Sequence, residues 1–267
     1  METDLPSARP SPPSPPASDL PEIGRISVAE LFAALSAGWR DFRTAPAYGL
    51  GISMLFVLVG LVLLWLGAGS VSWMLTLSLG FPLVAPFAAV GLYEVSRRLE
   101  AGAPLSWGAV LAVVVGERRR QCPWIGAIVV IYFLIWTLLA HMLFALIMGP
   151  AALINISSSL EMLFTPRGLV LIGAEMLLGA ALGFFLFSFT VISLPLLLDK
   201  EVDFVTAMLL SLRTVRANLF VMALWALVIG VLMVLALLPL FLGLLIVLPV
   251  LGHASWHLYR RALYSPL

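Results

Sequence analysis

Six long apolar runs restrict this chain more than anything else in it, at 48–68, 71–95, 124–148, 168–198, 219–238 and 240–259. A helix needs about 20 apolar residues to cross a hydrocarbon core roughly 30 Å thick, and each run is long enough. The expected fold is therefore all-α: a polytopic membrane bundle of six transmembrane helices. Composition agrees. Apolar residues make up 62% and charged residues 11%, against roughly 45–50% and about 25% in soluble domains. That balance excludes a soluble enzyme, a nucleic-acid binder and a disordered protein. A single cysteine, Cys122, excludes an intrachain disulfide and any CxxC metal or redox motif.

Two runs depart from a simple span. The run at 168–198 is too long for a perpendicular crossing, so it should tilt, or bend near Pro195 and emerge at Asp199. The last two runs meet at Leu238-Pro239-Leu240 with no polar loop, which calls for a very tight turn. Residues 1–24 are a separate regime, with seven of the 18 prolines among Ser and Ala. They are expected to form a disordered cytoplasmic tail, with neither the charged start nor the apolar stretch of a signal peptide. Residues 25–262 then form a single membrane domain.

Orientation follows from the cations. With the amino terminus inside, fourteen of the 15 Lys and Arg residues lie on the inner side and only Arg167 on the outer. The positive-inside rule then places both termini in the cytoplasm.

The inner segments carry a pattern of their own. Ser27-Val-Ala-Glu30 reads as a capping box, which opens a helix. Val28, Leu31, Phe32, Leu35, Trp39 and Phe42 follow at the spacing of one helical face, with Arg40, Asp41 and Arg43 off it. This describes an interfacial helix with its cations toward lipid headgroups. The pattern recurs 173 residues later, where Phe204, Val205, Met208, Leu212 and Val215 repeat the stripe and Arg213 and Arg216 repeat Arg40 and Arg43. Asp203 stands where an N-cap would. A third copy begins at Ser106, with Trp107, Val110, Leu111 and Val114, and reaches Arg120 after a two-residue deletion. Pro86 precedes Arg97-Arg98 by the spacing at which Pro249 precedes Arg260-Arg261. The expectation is a pseudo-threefold tandem repeat of about 27–100, 104–200 and 201–261. Each unit is an amphipathic interfacial helix followed by a transmembrane hairpin.

Several strings carry a family resemblance: Gly38-Trp-Arg-Asp-Phe-Arg, Gly80-Phe-Pro-Leu-Val-Ala-Pro-Phe, Val90-Gly-Leu-Tyr-Glu-Val-Ser-Arg-Arg-Leu-Glu, Leu194-Pro-Leu-Leu-Leu-Asp and Gly252-His-Ala-Ser-Trp-His-Leu-Tyr-Arg-Arg. The chain resembles a bacterial family of predicted integral membrane proteins, domain of unknown function 2189 (DUF2189). The resemblance implies a bacterial inner (plasma) membrane protein and supplies no activity and no functional residues.

Candidate chemistry is sparse. Glu175 is the clear charge inside a span, and His141 lies at a similar depth on the preceding antiparallel helix. They could form a hydrogen-bonded pair, either as a polar clamp or as a proton-sharing site. His253 and His257 stand four apart on the last span, with Glu94 at the matching point of the second. This inner-face polar cluster suits headgroup or interhelical contact better than a metal site, since no Glu lies between the histidines. A haem-copper role needs more than the three histidines present, and His141 and His253 lie at depths too different to share one iron. No catalytic residue, cofactor or metal is assigned. Gly179 and Gly183, with Gly173, form a small-residue strip suited to close packing within the chain, or to a dimer. Residues 158–164 could add a short outer helix.

The strongest pattern favours a non-catalytic role: lipid-interacting, scaffolding or regulatory, with Arg40, Arg43, Arg120, Arg213 and Arg216 contacting anionic headgroups of the bilayer. The alternative is a transporter or channel for a small or lipidic solute, although polar lining is scarce. The sequence names no protein partner.

Overall fold

The computed structural model describes residues 21–65, 71–117, 120–149 and 164–264, with the backbone alone at 63, 64 and 71–85. Residues 1–20 of the expected tail, Arg118 and Arg119, and nearly all of the expected outer helix at 158–164 lie outside these ranges. Among the described residues ten helices follow one another: α1 (Val28–Thr44), α2 (Pro46–Trp65), α3 (Val71–Glu100), α4 (Trp107–Glu117), α5 (Cys122–Met148), α6 (Pro166–Thr190), α7 (Ser193–Asp199), α8 (Phe204–Ala217), α9 (Leu219–Leu237) and α10 (Leu244–Tyr264). No strand occurs among the described residues.

Local chemistry sets the helix ends. The Ser27 hydroxyl accepts the Glu30 amide at 3.3 Å, and the Glu30 carboxylate accepts the Ser27 amide at 2.6 Å, so the box at the start of α1 is reciprocal. The Ser106 hydroxyl accepts the Ala109 amide at 3.2 Å ahead of α4. Asp203 caps α8 by accepting the Thr206 amide at 2.9 Å, and that hydrogen bond holds its carboxyl below the usual carboxylate range. Chain breaks without glycine separate α1 from α2 and α8 from α9. Ala45 has φ −134° and ψ 57°, and Asn218 has φ −127° and ψ 36°. At the first break the chain turns by 97°.

The long run ending at Asp199 is interrupted, as its length and Pro195 lead one to expect. Proline has no N–H to return to the carbonyl four residues back. The helix opens at Val191 and Ile192, and the Ser211 hydroxyl on α8 accepts the freed Ile192 amide at 3.2 Å.

The turn between α9 and α10 occupies 238–243, so the last helix starts four residues later than the run at 240–259 suggests. Leu240 (φ 53°) and Phe241 (φ 68°) are both left-handed, a conformation that costs a non-glycine residue about 1–2 kcal/mol. Phe241 earns its place by packing on Gly60, where a Cβ would stand 2.8 Å from the ring. Leu240 is exposed and makes no such contact. Replacing Leu240 with Gly should therefore stabilise the protein by about 1 kcal/mol. Thermal unfolding in detergent would check this, and a lowered midpoint would mean that the Leu240 side chain matters more than its backbone.

Among the described residues three stretches are long and apolar enough to cross a membrane: Cys122–Met148, Pro166–Asp199 and Leu219–Leu237. The bent pair α1–α2 raises the number to four. The last helix does not qualify, because His253, Ser255, His257 and Arg260 occupy its second half. That half is enclosed by protein: Trp256, Leu258 and Tyr259 are fully buried.

Packing is organised around the last helix. α10 lies against α1, α2, α3 and α9, and α7 packs on both α3 and α10. α4 packs on α3, and α8 on α6 and α7. The buried face of α1 takes in only part of its large-residue stripe. Leu31, Ala34, Ala37, Gly38 and Phe42 are buried, whereas Phe32 is 64% and Trp39 44% exposed. Lipid solvates large apolar side chains as well as protein does, so helix contact falls to small residues that let backbones approach. On α8 the buried set is Ala207, Leu210, Ser211, Thr214 and Val215.

Candidate functional site

One face of α10 gathers a set of polar groups. His253, Trp256, His257, Arg260 and Tyr264 recur at intervals of three and four, so they project from one side of the helix. Small residues bring the partners in. A Cβ on Gly38 would stand 2.5 Å from the Ala254 amide nitrogen, and one on Gly252 would stand 2.5 Å from the end of Leu92.

Each member then meets a group on another helix. The His257 Nε2 and the Asp41 carboxylate of α1 lie 2.8 Å apart. The Ser96 hydroxyl of α3 and His253 Nδ1 are 2.8 Å apart, and the fully buried His253 leaves Nε2 without a partner. Trp256 Nε1 and Arg260 Nε both donate to Glu100, at 2.9 and 3.0 Å. Asp199, at the end of α7, accepts from the Tyr259 and Tyr264 hydroxyls at 2.7 and 3.0 Å, and the Arg260 guanidinium stacks on the Tyr264 ring at 4.5 Å. Glu94, with its side chain fully buried, accepts from Arg97 at 2.7 Å and Arg98 at 2.6 Å. Every carboxylate in this network is matched by a cation or a hydroxyl, and four elements are tied together by it. Such an arrangement holds helices in place.

The sequence-derived cluster of Glu94, His253 and His257 thus falls within one region, but its members do not face each other. Each histidine has its own partner, and no group of three His, Cys, Asp or Glu among the described residues could hold a metal. Asp41, Ser96, Glu100, Asp199 and Tyr264 complete the network and escape a reading of the sequence. The three-and-four spacing of polar residues along α10 is the signal that points to it; the partners lie up to 216 positions away.

His141 and Glu175 are on packed helices, α5 and α6, yet no hydrogen bond joins them. The His141 ring turns instead to the Thr137 carbonyl of its own helix at 2.7 Å and is exposed.

The arginines differ in their partners. Arg97, Arg98 and Arg260 belong to the network above. Arg120 pairs with Glu117 at 3.0 Å and Glu201 at 3.7 Å, while burial pushes the Glu117 carboxyl up against the opposing pull of Arg120. Arg40, Arg43, Arg213 and Arg216 are exposed and have no ion-pair partner among the described residues.

The strip of Gly173, Gly179 and Gly183 does not mediate close helix contact. A Cβ at Gly173 or Gly183 would meet nothing within 4 Å, and one at Gly179 only the Trp136 ring at 3.3 Å. This side of α6 borders a cavity of about 850 Å³ shared with α5 and α9.

An all-helical chain with several membrane-length apolar helices, and with its polar groups paired at one end of the bundle, is an integral membrane protein. Residues 73–199 match the model of the family described as predicted integral membrane protein, DUF2189, which is the family that the sequence strings indicate. Three of those strings, starting at Gly80, Val90 and Leu194, lie in the matched stretch. No curated protein and no solved structure matches the chain.

Proposed function

We propose that this protein is a six-span protein of a bacterial inner membrane, with both termini cytoplasmic, which acts without catalysis by binding anionic headgroups through cationic interfacial helices. The role is lipid-interacting, scaffolding or regulatory. One observation carries the reading: Arg40 and Arg43, and their counterparts Arg213 and Arg216 at 173 residues' distance, are exposed and unpaired on helices that end in the same break. Arg97, Arg98, Arg120 and Arg260 are paired with carboxylates, whereas these four, like Arg25, Arg167 and Arg261, have no such partner among the described residues, and of the unpaired arginines only these four recur at the 173-residue offset. The 97° turn after α1 suits a helix lying along the leaflet before the chain enters it.

The packing supports a threefold repeat. Each unit's interfacial helix lies against the end of the preceding unit: α4 on α3, α8 on α6 and α7, and α1 on α10 to close the ring. Buried positions also correspond at the 173-residue offset, Ala34 with Ala207, Gly38 with Ser211 and Phe42 with Val215. Transport has no comparable support, since His141 and Glu175 are not joined and the cavity between α6 and α9 has an apolar lining.

Replacing Arg40, Arg43, Arg213 and Arg216 together with Gln should lower co-purified phosphatidylglycerol or cardiolipin several-fold, because each cation near an anionic surface contributes about 1 kcal/mol. Phosphorus analysis of the purified protein reads the outcome. Unchanged lipid content would remove the basis for the proposal.

A further inference from the structure

If the units repeat, three places in the bundle correspond: the second helix of each unit against the last long helix of the unit before it. α2 packs closely along α10, and α5 along α3. At the third place α9 touches α6 at only a few points. The space between them is the cavity of about 850 Å³, with Trp136 on one side, Gly183 and Phe187 of α6 on another, and Ala226, Gly230 and Val234 of α9 opposite. Its rim residues Met176, Leu227 and Val231 are exposed, so it opens toward the surrounding bilayer. A smaller cavity of about 350 Å³ shares Phe184 with the first, follows α6 to Phe189, and ends at Arg216.

The two spaces together follow α6 from Met176 to Phe189, about 20 Å at 1.5 Å per residue. One leaflet of hydrocarbon is about 15 Å deep, half of the roughly 30 Å core. Water has no reason to fill such a space, since the larger cavity offers it no polar side chain. An empty gap would forfeit the dispersion contacts that its two neighbouring counterparts make. At the inner end stand two exposed cations, Arg216 on the cavity wall and Arg213 one turn before it, neither with a carboxylate partner. A long apolar body with a negative end fits both features. The Arg40–Arg43 pair leads to no equivalent space: at that place a Cβ on Gly49 would stand 2.7 Å from the Pro249 side chain.

We propose that the crevice between α6 and α9 is the binding site of one anionic phospholipid, with an acyl chain along α6 and its phosphate on Arg216 and Arg213. The inference rests on the lipid-binding reading above and narrows it to one place and one lipid class.

Native mass spectrometry of the full chain, incubated with phosphatidylglycerol or with phosphatidylcholine, tests it. Gly183→Leu with Gly230→Leu fills the crevice at positions where a Cβ meets nothing within 4 Å. This variant, and Arg213→Gln with Arg216→Gln, should each weaken the first phosphatidylglycerol adduct about tenfold. Arg40→Gln with Arg43→Gln should change it less than twofold. An adduct untouched by crevice filling overturns the site, as does equal retention of phosphatidylcholine. Crevice filling that alters only the oligomeric state would assign the space to a second copy and also overturn it. Loss of the adduct both on crevice filling and in Arg213→Gln with Arg216→Gln, combined with total lipid unchanged in Arg40→Gln with Arg43→Gln, would sustain the site while removing the broader reading. Should the filled variant not fold, the unaltered chain still decides. Phosphatidylglycerol brominated on its acyl chains should quench the Trp136 emission, isolated by difference against Trp136→Phe, more than brominated phosphatidylcholine does. Equal quenching overturns the proposal.

Discussion

Replacing Gly38 with alanine is expected to destabilise the protein by about 3 kcal/mol or more, the upper end of what overpacking costs. The added methyl would stand 2.5 Å from the Ala254 amide nitrogen and 2.7 Å from the Val250 carbonyl oxygen. Both obstacles are backbone atoms of α10, so no side chain can rotate away and the two helices must separate. Separation would also stretch the contact between His257 and Asp41, which spans the same pair of helices. A thermal melt in detergent reads the effect, and Gly108→Ala serves as its control. Gly108 meets nothing within 4 Å in α4, so alanine there should be neutral, or stabilising by up to about 1 kcal/mol. Equal midpoints for the two variants would show that α1 is not held against α10 by backbone approach.

Glu94→Ala is expected to cost about 3 kcal/mol. Its carboxylate is fully buried and accepts from both Arg97 and Arg98, and removal of one partner of a buried pair is costly because the remaining charge loses its compensation. The lower end of the usual 3–5 kcal/mol applies, since Arg97 is 41% and Arg98 22% exposed and both can turn toward solvent or headgroups. Arg98→Leu in the same chain should recover part of the loss, giving a measurable coupling in a double-mutant cycle. Additive effects would mean that Glu94 acts through packing and not through its charge.

Much of the architecture is legible in the residues. Capping chemistry is local, so Ser27 with Glu30, Ser106 and Asp203 mark helix starts without knowledge of anything distant. Pro195 removes a backbone donor wherever it stands, and the interruption of the fourth run follows from that alone. The positions of the spans follow from transfer of apolar side chains into lipid, another property of the segment itself. The stripe on α1 is where this reasoning stops. Phe32 and Trp39 are apolar, and in water they would mark the buried face. In a bilayer the same apolarity is satisfied by acyl chains, so hydrophobic periodicity no longer separates protein contact from lipid contact.

The candidate site divides in the same way. Arg40, Arg43, Arg213 and Arg216 can be found by counting, because an Arg-x-x-Arg pair stands at the same spacing in both stretches, 173 residues apart. Whether an arginine is available is another matter. Arg120 occupies a corresponding position and is drawn to Glu117 and Glu201.

The sequence by itself determined that this chain is helical, that it lives in a membrane, and where its capped helices begin, because burial in lipid and capping of free amides act on each segment alone. Only the tertiary structure decided that backbone approach at Gly38 brings α1 onto α10, that Asp41, Ser96, Glu100 and Asp199 form one polar network with the last helix, and that α6 and α9 leave a cavity between them. Those features depend on groups up to 216 residues apart meeting at distances of about 3 Å. Contacts of that kind are set by how whole helices cross, which no short pattern of residues encodes.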